Sequence, residues 1–450
     1  MHGRRRGWRR STTGWVGVMG EGLKRDSQWM MAGQGGMALL QAVYFVLLGR
    51  TLGSAQYGAF VGVVAMVGIA SQLSGLGMEM TLLRDVSRDG RRFGASWGRA
   101  VQVTLAGALA LLLLAATAGH AWLGRSLWLL LPYVVISDGL FGRLLQVAIR
   151  AFQATGQMRW AAALPVTMSG LRAAVAGVFF WRVHAGLMAG TASAWVEMYW
   201  GATAAAAVLA MAMVTARLGW PEWRRVRGRE LADGLSFAFS NSSISVYNDV
   251  DKSLLAGAGL MESAGIYGAA YRVVDVATIP VYSLFAAATP RYFRAEGVDG
   301  TRALMRRLLL RALPVTVGIS AGLFLLAGLV PVVLGASFAG AVTALRWLCV
   351  IPLLRLLHYT WGTAITARMS QWKRTGAQVV AAALNVGLCV WWIPKWQWRG
   401  AAAASVMTDG ALVLMSAGIW WAWARKHVEL AVEESAESKG IGRATPGWVQ

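Results

Sequence analysis

Residues 41–89 read QAVYFVLLGRTLGSAQYGAFVGVVAMVGIASQLSGLGMEMTLLRDVSRD. One apolar run ends at Arg50, a short turn with Gly53, Tyr57 and Gly58 follows, a second apolar run extends to about residue 82, and a basic loop comes next. Each run approaches the ~20 residues that a helix needs to cross the hydrocarbon core of a bilayer. The stretch predicts two membrane-spanning helices, at 28–50 and 57–82.

The rest of the chain repeats this grammar. Of its 450 residues 56% are hydrophobic and only 14% charged, with a mean hydropathy of +0.50, outside the range of soluble domains. Windows of about 19 residues predict ten further spans, at 100–122, 126–149, 160–181, 187–215, 236–257, 264–289, 312–332, 341–365, 375–393 and 400–423. Twelve spans at ~20 residues each leave only short connections, so no catalytic domain of ordinary size fits and the protein is not expected to be an enzyme. An even span number puts both termini on one side.

The net charge of +22 would raise nucleic-acid binding in a soluble protein. Here its placement gives another meaning. With the twelve spans assigned, 32 Lys and Arg fall on the face that holds the termini and 5 on the other. Basic residues resist translocation, so the termini are expected to be cytoplasmic. A missed helix would scramble the sign of every later loop. The chain divides accordingly into a basic cytoplasmic arm (1–27), an N-lobe of spans 1–6 (28–215), a basic interlobe linker (216–235), a C-lobe of spans 7–12 (236–424) and a polar tail (425–450). The arm's RRRGWRR has no apolar core or small-residue cleavage site behind it, which argues against a signal peptide. The clusters WWIPKWQW (391–398) and WWAW (420–423) sit at span ends and read as interfacial belts. Cys349 and Cys389 lie in apolar stretches and read as small core residues. No phosphate loop, metal-ligand spacing or nucleophile motif is evident, so no cofactor or metal is expected and ATP-driven transport by this chain alone is disfavoured.

The sequence also repeats itself. RTLGSAQYGAF (50–60) matches LMESAGIYGAAYR (260–272), placing Tyr57 opposite Tyr267, and AIRAFQATGQMRW (148–160) matches AITARMSQWKRTG (364–376), placing Gln157 opposite Gln371. Six spans per repeat preserve orientation. The fold expected is therefore an all-α membrane protein of about 12 transmembrane helices in two six-helix lobes, related by a pseudo-two-fold along the membrane normal. Two such lobes make a transporter plan, because rocking one against the other exposes a central site to alternate sides.

Arg50, Leu52, Gly53, Tyr57 and Gly58, followed by Gly75, Leu76, Gly77 and Arg84, together with DKSLLAGAGLMESAGIYGAAYRV (251–273), resemble the polysaccharide-biosynthesis flippases of the multidrug/oligosaccharidyl-lipid/polysaccharide exporter superfamily. The sharp motifs occupy about 70 residues, while the likeness in topology covers the chain. The resemblance implies a V-shaped pair of lobes around a cationic cavity. It further implies a lipid-linked oligosaccharide, carried on undecaprenyl pyrophosphate, moved across a bacterial inner membrane, with a polysaccharide polymerase and glycosyltransferases as partners.

Charges within the spans point to candidate sites, because a midplane charge costs ~2.5–3.5 kcal/mol or more and should face the lobe interior or a wet cavity. The bases are Arg143, Arg172, Lys252, Arg272, Arg346 and Arg355; the acids are Glu79, Asp138, Glu197, Asp249, Asp251, Asp275 and Asp409. Arg346 and Glu79 lie near span ends and can snorkel. Arg172, mid-span, reads either as a cavity cation or as the buried partner of an acid. Asp138 and Arg143 lie ~140° apart around one helix and each needs a partner elsewhere. Arg272 and Asp275 share a helix face and can pair. Span 7, FSNSSISVYNDVDKSLLAG, brings Asn241 and Asn248 to the same set, available for sugar hydroxyls. His358, three residues after Arg355, can titrate near neutral pH. On this reading Arg172, Arg143, Arg355, Lys252, Arg272, Asn241 and Asn248 bind substrate. Asp138, Glu197, Asp249, Asp251, Asp275 and Asp409 are candidates to couple transport to an ion.

Forked guanidinium donors suit a pyrophosphate, and anionic lipids suit the basic cytoplasmic face; no nucleic-acid partner is expected. The rivals are a cation-coupled exporter of small amphipathic drugs from the same superfamily, a membrane glycosyltransferase, which the short external loops disfavour, and a non-transporting scaffold of an envelope-polysaccharide complex.

Overall fold

The computed structural model describes residues 12–122 and 125–438, and its regular elements are all helical. The first eleven residues of the expected arm and the last twelve of the expected tail lie outside the described residues. In chain order the helices are α1 (Thr12–Ser74), α2 (Met78–Arg88), α3 (Phe93–Trp122), α4 (Arg125–Trp128), α5 (Leu131–Val134), a π-helical turn (Val135–Phe141) and α6 (Gly142–Ala154). They continue with α7 (Met158–His184), α8 (Ala192–Leu218), α9 (Gly228–Gly257), α10 (Met261–Arg294), α11 (Gly297–Leu325) and α12 (Leu329–Leu334). The last four are α13 (Gly340–Leu348), α14 (Ile351–Arg368), α15 (Gln371–Trp396) and α16 (Trp398–Ser438). The segment 12–27, expected as an arm, is thus drawn into α1, and 425–438 of the expected tail into α16.

Nine helical segments among the described residues are long and apolar enough to cross a membrane, against twelve expected spans, and the protein is a multi-pass membrane protein. Three local causes account for the difference. Spans 1 and 2 fall in one helical stretch, Gln28–Ser74, bent where Gly53 takes φ 68°, ψ 175°. Only glycine adopts that backbone without a Cβ penalty. Span 4 is broken into α4, α5, the π turn and α6, with Pro132 opening α5. Span 7 is α9, whose polar residues hold it below membrane hydropathy although its 30 residues are ample in length.

The chain divides into two compact units whose borders cut through helices. Unit 1 contains the chain up to Thr51, Ala70–Ala121 and Trp128–Phe239; unit 2 contains Leu52–Ile69, Trp122–Leu127 and the chain from Ser240. Residues 52–69 and 122–127 of the expected N-lobe, 28–215, fall in unit 2, and the first twelve residues of α9 fall in unit 1. In unit 1, α6 packs on α2, α7 and α8 around Met78, Leu82, Trp97, Leu145, Ala148 and Phe152, all at most 2% exposed. In unit 2, α14 packs on α10, α11 and α16 around Phe285, Tyr292, Leu356, Ala364 and Trp420.

Inside unit 2 the matched motifs of the repeat touch each other. A Cβ on Gly58 would overlap the carbonyl of Met261, and one on Gly265 would overlap the carbonyl of Ser54. Small residues permit this backbone-to-backbone approach, which gains dispersion where no hydrophobic drive exists between helices in lipid. Tyr57 stacks edge-on against Phe338, and the Ser54 amide donates to Ser337 Oγ at 3.2 Å.

Candidate functional site

In unit 1 four of the charges expected within spans form two ion pairs. Arg143 on α6 donates to Glu79 on α2 at 2.6 Å and to Gln72 at 3.1 Å, and both charged side chains are under 10% exposed. Arg172 on α7 donates to Asp138 in the π turn at 2.6 Å and to the Thr203 hydroxyl on α8 at 2.9 Å. Tyr199, also on α8, donates to Asp138 Oδ2 at 2.9 Å, and its ring lies 4.3 Å from the Arg172 guanidinium carbon. Thr203 follows Tyr199 by four residues, so one helix face supplies both groups. Of the two readings of Arg172, the geometry matches the buried partner. Asp138 and Arg143 each find a partner on another helix, as their angular separation requires.

Unit 2 builds a second set. On α9, Lys252 reaches Asp249 at 3.0 Å and lies 3.5 Å from Asp251, which is 1% exposed and accepts from the hydroxyls of Tyr267 and Ser405. Asn248 contributes its backbone carbonyl to Lys252, and Asn241 is half-buried on the same helix. Arg355 on α14 donates to Asp275 at 2.9 Å, to Tyr282 at 2.8 Å and to Tyr271 at 2.7 Å. The Asp275 carboxylate thus ties α10 to α14, a pairing that its spacing from Arg272 on α10 did not suggest. Arg272 is half-buried, Arg346 stacks on Phe324, and Glu197 is exposed on α8. Arg143, Arg172, Lys252 and Arg355, four of the five bases expected to line a cationic chamber, are therefore each neutralised by a carboxylate.

Asp409 and Arg374 are among the charged groups of unit 2 for which no ion pair is found among the described residues. Asp409 on α16 is 2% exposed and accepts from the Tyr247 hydroxyl of α9. Asn385 of α15 donates to the Tyr247 carbonyl at 3.4 Å, so α9, α15 and α16 converge on this carboxylate. Arg374, near the start of α15, is half-buried and donates to Thr366 at 3.1 Å. Its side chain lies across Gly362, where an added Cβ would stand 3.5 Å from Nε. His358, Gly362 and Thr366 follow one another at four-residue steps and form one stripe of α14. His358 is 8% exposed and its Nδ1 has no hydrogen-bond partner. Arg374 falls between the expected spans 341–365 and 375–393 and so among the basic residues of the cytoplasmic face, and the i, i+4, i+8 stripe on α14 is the sequence signal for its placement. The tyrosines and threonines that complete each pair were missed because hydroxyl residues carry no charge to mark them within an apolar span.

Among the described residues no cluster of His, Cys, Asp and Glu has the make-up of a metal site. What both units offer is carboxylates and guanidinium groups within the helix packing, with hydroxyls bridging between helices.

A family model described as polysaccharide biosynthesis protein matches residues 23–296. Among solved structures, an inward-facing multidrug resistance MATE family transporter of the MOP superfamily is similar with a TM-score of 0.70 at 15% identity, covering 88% of this chain and 96% of that one. An outward-facing structure of a multidrug resistance MATE family transporter is similar at 0.60 and 16% identity, with 92% and 96% covered. A MOP superfamily transporter from Pyrococcus furiosus, described by the reversed polarity of its binding pocket, is similar at 0.61 and 14% identity, with 91% and 95% covered. No curated protein matches the sequence. Identities this low establish a likeness of fold.

Proposed function

Because this chain belongs to the polysaccharide biosynthesis protein family and has the fold of the MOP-superfamily transporters, we propose that it moves an amphiphilic cargo across the membrane by alternating access. The cargo that the observations favour first is a small amphipathic compound, exported in exchange for a cation. Asp409 carries that reading: a buried carboxylate with a tyrosine hydroxyl as donor and no counter-ion among the described residues suits a proton or monovalent cation. The multidrug description of the similar structures supports it, and so does the neutralisation of the bases that would have favoured an anion. The test is efflux of a fluorescent organic cation from proteoliposomes under imposed proton or sodium gradients. The wild type should respond to one gradient, and Asp409→Asn should abolish the response. Export that ignores both gradients, or survives the substitution unchanged, overturns the coupling role.

A second reading, flipping of a lipid-linked oligosaccharide across a bacterial inner membrane, is supported by the family and by Arg374. A half-buried guanidinium without a carboxylate, beside the partnerless nitrogen of His358, offers forked donors to a pyrophosphate. In the same vesicles, headgroup flipping of a polyprenyl-pyrophosphate oligosaccharide should fall at least tenfold in Arg374→Gln. Flipping by neither cargo assay would leave the scaffold alternative standing.

A further inference from the structure

A groove of about 510 Å³ runs along one flank of unit 1. One wall is Phe141 and Leu144, at the junction of the π turn with α6; the other is α8, where the small side chains of Ala207, Ala212 and Ala216 leave the space open. Trp220, just past the end of α8, closes one end. Of its polar lining groups, the Thr215 hydroxyl is already donated to the Met211 carbonyl at 2.9 Å, and the Trp220 indole N–H belongs to the closed end. Nothing in the groove calls for a polar guest, so hydrocarbon is the filling that leaves no group unsatisfied. Val208 on the rim is 61% exposed, as expected of a helix face turned to acyl chains. From Ala207 to Ala216 the helix rises ~14 Å, close to half of the ~30 Å hydrocarbon core. The groove is about as long as one leaflet is thick.

At its closed end the chain turns strongly basic and aromatic. Arg217 lies in the last turn of α8, and the following segment, GWPEWRRVRG, exposes Trp220 by 81% and Trp223 by 60%, together with Arg225 and Arg227. Arg224 is occupied by Glu222 at 2.9 Å, and the Arg217 guanidinium lies 4.1 Å from the centre of the Trp160 ring. Tryptophan and arginine together mark headgroup depth. The geometry points to a binding site for one anionic glycerophospholipid, its acyl chain in the groove between α8 and α6 and its phosphate among Arg217, Arg225 and Arg227.

Charge complementarity sets the class of ligand: a zwitterionic lipid would fill the groove equally well but would gain less from the arginines. The site is separate from the charged groups assigned to cargo, and its test reads lipid retention and not transport, so its failure leaves the transport reading untouched.

The experiment is native mass spectrometry of the detergent-purified protein titrated with phosphatidylglycerol or phosphatidylcholine. The wild type should retain one phosphatidylglycerol at concentrations at least tenfold below those needed for phosphatidylcholine. Ala212→Trp, which fills the groove, should lose that lipid, whereas Val178→Trp, on an exposed face of α7, should keep it. Arg225→Gln combined with Arg227→Gln, both exposed, should weaken phosphatidylglycerol at least fivefold and leave phosphatidylcholine unchanged. This double variant also decides the matter if Ala212→Trp folds poorly. Equal retention of the two lipids by the wild type, undiminished retention by Ala212→Trp, or indifference to the arginine substitutions would overturn the site.

Discussion

Unit 1 and unit 2 handle buried charge differently. In unit 1 Glu79 meets Arg143 and Asp138 meets Arg172, while half-buried Arg150 has the Gln153 amide oxygen as its partner. Unit 2 also forms pairs, Lys252 with Asp249 and Arg355 with Asp275, yet it keeps Asp409 and Arg374 outside them. A closed pair has little to gain from a ligand, because its desolvation is already offset. An unpaired group in low dielectric gains from any counter-charge that arrives. The contrast lies in the carboxylates: Glu79 and Asp138 of unit 1 each meet a guanidinium, whereas unit 2 keeps buried Asp409 with a tyrosine hydroxyl instead of a base.

The largest expected effect tests the closed half of that contrast. Arg143→Ala strands Glu79, whose side chain is 6% exposed, and should cost ~3–5 kcal/mol, read as a lowered thermal unfolding midpoint in detergent. Arg143→Met combined with Glu79→Leu should recover most of the loss. If the single variant is as stable as wild type, the pair is not closed and the comparison fails. Next comes the seat between the matched repeat motifs in unit 2. Gly265→Val would overlap the Ser54 carbonyl and should cost ~1–3 kcal/mol by overpacking, whereas Gly268→Ala, whose Cβ would meet only Val61 at 3.2 Å, should cost less in the same assay.

Asp409→Asn sharpens the open half. The amide keeps an acceptor for Tyr247, so stability should change by ~1 kcal/mol or less, while the response of transport to an ion gradient disappears. A large stability loss would mean that the carboxylate is a structural partner and not a group held in reserve. The smallest effect belongs to the solvent-exposed pair between Arg84 and Asp233, 3.1 Å apart. The Asp85 hydrogen bond first, and Asp233 after it, hold the Arg84 guanidinium above its ordinary value. Asp233→Asn should cost ~1 kcal/mol or less, and less still in high salt. A larger loss, insensitive to salt, would make this surface contact more important than either buried unit.

Much of the fold was legible because its cause is local. The 41–89 stretch announces two spans and a basic loop, and the structure makes them one helical stretch bent at Gly53, the position whose positive φ calls for glycine. Span 7 shows where a local rule misleads. Its polar residues look like cavity lining, yet Asp249, Asp251 and Lys252 largely satisfy one another and the hydroxyls of Tyr267 and Ser405. The charges in the expected spans were legible as residues and not as partners. Asp138 lies 34 residues from Arg172, and Asp275 lies 80 from Arg355. No helical periodicity connects positions so far apart.

The sequence by itself determined that the chain lives in a bilayer, that its halves share a motif, and that charges are carried into the apolar spans. Those properties follow from the hydrophobic effect and from backbone hydrogen bonding within each segment. Only the tertiary structure decided which charges cancel, that Gly58 and Gly265 seat the repeated motifs on each other, that residues 52–69 join unit 2, and that Asp409 and Arg374 form no ion pair among the described residues. Coulomb and packing energies depend on the distance between atoms of different helices, and that distance is set only once the helices have assembled.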